Sequence, residues 1–196
     1  MWRNTDDGYG LVAVVLHWLV AVVVVGLFVL GLWMVELTYY DVWYRRSTDI
    51  HKGVGFLLFF VVLARLAWRL VNPRPVPEPT HTRLERVAAA VTHVLFYVLL
   101  FAVMTAGYLI STADGRAIDV FGLFKVPATI AGLPGQADIA GDVHLALAIA
   151  LIVLTVIHSL AALKHHFIDR DRTLLRMLGR RTPRPSRSSA DSRRGA

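Results

Sequence analysis

His144 and His158 stand fourteen residues apart inside the apolar run 143–163, which carries no charged residue. Fourteen residues are almost four helical turns, so both imidazoles project from one face, about 21 Å apart along the axis. That separation is too long for one metal ion and suits two stacked cofactors. A histidine within a membrane span is costly and marks an ion pathway, a proton relay or a ligand. Six further histidines, at positions 17, 51, 81, 93, 165 and 166, are available as partners.

The elements that must position these side chains are membrane helices. Four apolar runs, 11–37, 53–71, 87–110 and 143–163, each approach spanning length. With 56% hydrophobic and 18% charged residues, the chain has too little polar surface for a soluble domain of four such helices. The expected fold is all-α, a four-helix transmembrane bundle, with one domain over 1–178. A Pro-, Ser- and Arg-rich segment, 179–196, is expected to be a disordered basic tail. The first run is too long, and too weakly followed by small residues, for a cleaved signal peptide, so it is expected to stay as helix one. No internal repeat is present.

The connections are legible too. Segment 72–79 contains four prolines, and Thr82 followed by Glu85 makes a capping box that starts helix three near Arg83. The longest loop, 111–137, carries Phe121-Gly122-Leu123-Phe124 and is expected at the outer interface, where it can roof a buried cofactor. Trp2, Trp33, Trp43 and Trp68 fall near span ends as interface anchors, and Trp18 beside His17 reads as packing.

Charge sets the orientation. With the N-terminus inside, the cytoplasmic side holds Arg3, five arginines from Arg65 to Arg86 and ten basic residues from Lys164 onward. Only Arg45, Arg46, Lys52, Arg116 and Lys125 remain outside. Sixteen against five places both termini in the cytoplasm, for a multi-pass protein of the bacterial inner membrane. The net charge of +7 then reflects topology and attraction to anionic lipid; no nucleic-acid-binding module is recognisable.

Depth pairs the histidines. Helix one rises from inside, so His17 lies near the inner face; helix two descends from outside, so His51 lies near the outer face. Helix four supplies a partner at each level, His158 for His17 and His144 for His51, and each pair can clamp an iron from both sides. Cysteine is absent, which excludes covalent c-type haem, thiolate-held iron–sulfur clusters and disulfides, so any haem is non-covalent. The same fourteen-residue step leads from His17 to Gly31, from His51 to Arg65 and from His93 to Gly107. Glycine lets a porphyrin pass close to the backbone, and arginine pairs with a propionate. Against this, Gly31 and Gly107 are equally served by ordinary helix packing. His51 and Arg65 could simply snorkel near helix ends. His93 either bonds a propionate, replaces His17 as ligand, or faces a neighbouring helix. His81, in the proline-rich loop, is expected to be solvated.

These residues resemble the bacterial cytochrome b561 family, four-helix di-haem membrane proteins, over nearly all of 9–178. The resemblance rests on His17-Trp18-Leu19, on His51 with Arg65-Leu66 and Arg69-Leu70 before Pro73 and Pro75, on His93 with Tyr97, and on Phe121-Gly122-Leu123. Most specific is the close of the domain: His144, His158, Ala161-Ala162-Leu163, His165-His166-Phe167 and Thr173-Leu174-Leu175-Arg176-Met177. It implies two haem b groups, the inner on His17 and His158, the outer on His51 and His144. It further implies superoxide oxidation with electrons passed to ubiquinone. Lys164, His165 and His166 are the candidates for a quinone site, since His165 continues the face of His158 two turns further on. Simple contact with lipid phosphates would equally explain Lys164 and His166. Lys164 departs from the family pattern, which has a small apolar residue there, and that side of the quinone site is in question.

Three functions follow as expectations. The first is a superoxide:quinone oxidoreductase. The second is a cytochrome b subunit that anchors a hydrogenase- or formate-dehydrogenase-like partner in the membrane and feeds quinone. The third is a non-redox proton or ion conductor built on the intramembrane histidines.

Overall fold

The structure, a computed structural model, describes residues 1–180, so most of the expected basic tail lies outside the described residues. Four long helices account for most of it: α1 (Leu11–Met34), α2 (Tyr44–Val71), α3 (Arg83–Thr112) and α4 (Gln136–Phe167). All four are long and apolar enough to cross a membrane, and the chain is a multi-pass membrane protein. A hairpin of β1 (Ile118–Val120) and β2 (Phe124–Val126) sits between α3 and α4, and a short α5 (Thr173–Met177) follows α4.

Helix limits differ from the apolar runs for a physical reason. α2 and α4 begin well before positions 53 and 143, because helical hydrogen bonding continues through polar residues that lie beyond the hydrocarbon. α1 instead stops at Met34, short of position 37. Beyond it Asp41 Oδ2 accepts hydrogen bonds from the Thr38 backbone N–H at 2.7 Å and its hydroxyl at 2.8 Å, closing a local turn.

α3 starts where its cap dictates. Thr82 Oγ1 accepts from the Glu85 N–H at 3.2 Å, and Glu85 Oε2 accepts from the Thr82 N–H at 2.9 Å. Thr82→Ala removes half of this box and should cost about 1 kcal/mol, read as a lower unfolding midpoint in detergent. An unchanged midpoint would show that the cap contributes nothing beyond the packing of α3.

α1 packs along α2 and α3 along α4, and the two hairpins meet through α2 and α3 while α1 and α4 touch only lightly. The core is a small cluster of Val20, Leu58, Val62, Leu100 and Leu151. Its placement is legible from the chain: Leu58, Leu100 and Leu151 each stand seven residues, two turns, after His51, His93 and His144. A packed apolar layer therefore separates the two levels of histidine. Outside the bundle the pattern inverts, with Val22, Val94, Val98 and Val153 exposed, as expected of a surface facing lipid.

At the end that carries the hairpin, labelled outer after the expected orientation, Phe121 (φ 55°) and Gly122 (φ 72°) form the turn, and Asp119 Oδ1 accepts from the Gly122 N–H at 2.6 Å. The Phe121 ring lies against Gly53, where a Cβ would come within 2.6 Å of it, two residues from His51. Phe124 adds an edge contact to Phe56 at 5.9 Å. The aromatic patch thus folds over the start of α2.

At the opposite end, labelled inner on the same expectation, three separate segments close the bundle. The Val76 N–H donates to the Asp6 carbonyl at 3.0 Å, tying the N-terminal segment to the proline-rich loop. Arg176 donates to the Val76 carbonyl at 2.8 Å and lies 2.7 Å from Glu78, and Trp18 Nε1 donates to the Met177 carbonyl at 2.7 Å. Trp18 is therefore more than packing: it fastens α1 to the C-terminal segment.

Candidate cofactor site

The four histidines of the depth argument meet as two pairs. His51 and His144 have ring centroids 6.1 Å apart, and His17 and His158 have theirs 6.3 Å apart. With metal–imidazole bonds of about 2.0 Å, two rings on opposite sides of one iron have centroids about 6.2 Å apart. Both separations match that span, whereas directly hydrogen-bonded imidazoles would sit closer. Each pair bridges the slot between the two helical hairpins, with α4 supplying one ring at each level and α1 or α2 the other.

The outer pair is oriented for ligation. His144 Nδ1 lies 2.9 Å from the Val103 carbonyl, which can only accept, so Nδ1 carries the proton and Nε2 is left free to bind a metal. His51 Nδ1 is buried without a hydrogen-bond partner among the described residues. Both glycines of the stripe stand against an imidazole. A Cβ at Gly107 would stand 3.1 Å from His144 Cε1, and one at Gly31 would stand 3.3 Å from His51 Cε1. It is the imidazoles that lean on the glycine backbones, so each glycine sets the position of a ring before any porphyrin is considered.

The inner pair is more crowded. His93 also faces His158, with centroids 5.9 Å apart, so two rings compete for one partner. Arg65 Nη2 lies 2.9 Å from His17 Nδ1 and so contacts the imidazole, where the sequence suggested a propionate. A guanidinium only donates, so it pairs with a His17 whose Nδ1 accepts; a His17 that binds metal through Nε2 carries its proton on Nδ1. Metal ligation by His17 and this bond therefore exclude one another, and ligation releases the guanidinium to meet a carboxylate. Arg65 and Arg69 both approach the Tyr97 ring at 5.8 Å, which keeps a second cation at the same level.

A scan of family models matches the chain to the prokaryotic cytochrome b561 model over residues 8–180. The chain belongs to the prokaryotic cytochrome b561 family. It is 51% identical to cytochrome b561 homolog 2 of Escherichia coli K12 over 179 residues, 91% of this chain and 95% of the relative. It is 30% identical to cytochrome b562 of Cereibacter sphaeroides, over 88% of this chain and 96% of that one. Similarity to the probable superoxide oxidase CybB of Yersinia pestis is 29%, over 87% and 95% of the two chains. Membership makes the protein a membrane electron-transfer cytochrome, and the family implies haem b. In this cytochrome b561 the spacing of the paired imidazoles, and the ring of His93 beside His158, is compatible with such a group.

The expected quinone residues cluster at the inner end, with partners the sequence did not reveal. Lys164 Nζ lies 2.7 Å from both Glu85 Oε1 and Asp169 Oδ2. His165 Nδ1 lies 2.7 Å from Asp169 Oδ2, and the His166 ring packs on Phe167 at 4.8 Å with its Nδ1 buried and without a hydrogen bond. His81 corrects an expectation: its side chain is only 16% exposed, with Nε2 2.9 Å from Asp171 Oδ2. The C-terminal segment folds back over the proline-rich loop and covers it. Burial works against the charge of Asp171, but hydrogen bonds from Thr173 and His81 hold its carboxyl below the usual range.

Proposed function

We propose that this cytochrome holds two haem b groups, on His51–His144 and His17–His158, and carries electrons across the inner membrane from superoxide to ubiquinone, with both termini cytoplasmic. The observation that carries this reading is the pair of imidazole separations, 6.1 and 6.3 Å, at two depths of one bundle. Bound there, haem b would supply a one-electron couple, and two imidazoles would be available to hold each group, which suits electron exchange more than oxygen binding. The apolar layer of Leu58, Leu100 and Leu151 supports redox over ion conduction, because electrons cross packed hydrocarbon by tunnelling while protons and ions need polar groups.

The balance is simple. Two superoxide anions give two O2 and two electrons; one quinone takes those electrons and two protons to become quinol. The superoxide half draws on the relative named a probable superoxide oxidase. On this chain an open pocket near His51 offers an approach, lined by Lys52 and Arg116 together with Asp49, Asp114 and Asp119. Three carboxylates against two cations, with Arg116 3.3 Å from Asp114, do not concentrate an anion. Stopped-flow mixing of the isolated protein with superoxide, quinone present, should therefore show haem reduction at near-diffusional rates that change less than about twofold from low to physiological salt. Absence of fast reduction would remove superoxide as donor and favour the membrane-anchor subunit, which would reveal itself by a copurifying dehydrogenase.

At the inner end, His165 continues the face of His158 and can hydrogen-bond a quinone oxygen, while Lys164 fixes Asp169 beside it. Lys164→Ala should alter the KM for quinone by roughly two- to fivefold, the modest scale of a solvent-screened ion pair. Haem content should stay unchanged. An unaltered KM would place Lys164 outside the site.

A further inference from the structure

We infer that His81, His165 and Asp171 form a binding site for a divalent transition-metal cation, with Zn2+ the best-suited ion, at the inner end of the bundle. His81 comes from the α2–α3 loop, His165 from the last turn of α4, and Asp171 from the segment before α5, so three distant stretches converge. Asp171 Oδ2 lies 2.9 Å from His81 Nε2 and 3.4 Å from His165 Nδ1, and the three donor atoms all lie within 4.8 Å of one another. Zinc bonds of about 2.0–2.2 Å in tetrahedral geometry put neighbouring ligand atoms about 3.3–3.5 Å apart, so these donors need move only slightly to share one ion.

The chemistry of the set agrees with its spacing. Two imidazoles and one carboxylate are borderline-soft donors of the kind that bind zinc and other first-row divalent ions. The Asp171 side chain is 1% exposed, so its charge is not dissipated into water. His165 Nδ1 faces the same carboxylates, 2.7 Å from Asp169 Oδ2 and 3.4 Å from Asp171 Oδ2, so a cation bound there would take the place of the proton that now sits between them. Charge around the site also favours a cation. Among the described residues the ion pairs at the site bring Asp169 and Glu85 to Lys164 with Asp171 beside them, while Arg172 and Arg176 pair with Glu78. Thr173 steadies the set, its N–H donating to Asp171 Oδ1 at 2.8 Å and its hydroxyl lying 3.2 Å from His81 Nε2.

The test uses the full-length, haem-loaded protein without a histidine tag, treated with chelator and titrated with Zn2+ in a calorimeter. One tight equivalent per chain is expected. His81→Ala should weaken it about tenfold or more, at least the cost of losing an outer-shell partner, with the visible haem spectrum unaltered. Zinc K-edge absorption of the loaded wild type should show imidazole scattering from two ligands, a readout independent of whether any variant folds. No zinc binding by the wild type, equal binding by His81→Ala, or an edge spectrum without imidazole would overturn the site and leave a plain His81–Asp171 hydrogen bond.

Discussion

Replacing His158 with alanine should remove the inner haem and leave the outer one, so that haem b per chain falls by half. His144→Ala should do the converse. Both rings come from α4, and each faces a partner about 6 Å away on another helix. His158 is the more telling of the two. His93 stands 5.9 Å from it and His17 6.3 Å, so either ring can complete the inner pair, but only with His158 present. Loss of His17 can therefore be partly rescued, whereas loss of His158 cannot. Haem extraction and redox titration check this: each variant should retain one haem and one midpoint potential. Full haem content in either variant would break the pairing.

The second large effect is expected from a residue that carries no functional group. Gly107→Val places a branched side chain where even a Cβ would stand 3.1 Å from His144 Cε1 and 3.2 Å from its Nδ1. The ring must turn, and turning it breaks the 2.9 Å contact with the Val103 carbonyl that fixes its tautomer. Outer-haem affinity should fall about 10–100-fold, the range seen when the groups supporting a metal ligand are disturbed. Gly26 and Gly55 provide the control, because a Cβ at either meets nothing within 4 Å. Valine at those positions should leave both haems in place. Normal outer-haem binding in Gly107→Val, measured by haem titration, would mean that His144 does not depend on this contact.

Much of this was legible in the sequence because a helix repeats itself. Fourteen residues are nearly a whole number of turns, so His144 and His158 must share a face, and the alternating direction of successive apolar runs sets the relative levels of His17 and His51 without any knowledge of packing. The capping box at Thr82 and Glu85 was equally local, and it appears where the pattern put it. What escaped was the joining of distant stretches. Nothing in the neighbourhood of His81 announces Asp171, ninety residues on; their meeting depends on where the chain after α4 folds back. For Arg65 the stripe fixes a face and not a partner: its 2.9 Å contact with His17 Nδ1 depends on which rotamer a flexible side chain takes. The stripe puts Gly31 and Gly107 on the histidine face, but spacing does not announce that an imidazole rests against each of them. The apolar layer was missed although its signal was present: Leu58, Leu100 and Leu151 sit midway along the same fourteen-residue steps that carry the histidines.

The most direct test is the ratio of haem b to polypeptide in the purified, unmodified protein, read together with the spin state of its iron. Two haems per chain, both low-spin as bis-imidazole ligation requires, are expected from the paired rings. A single haem, none, or a high-spin iron with an open axial position would contradict the assignment of His17, His51, His144 and His158 as a ligand set.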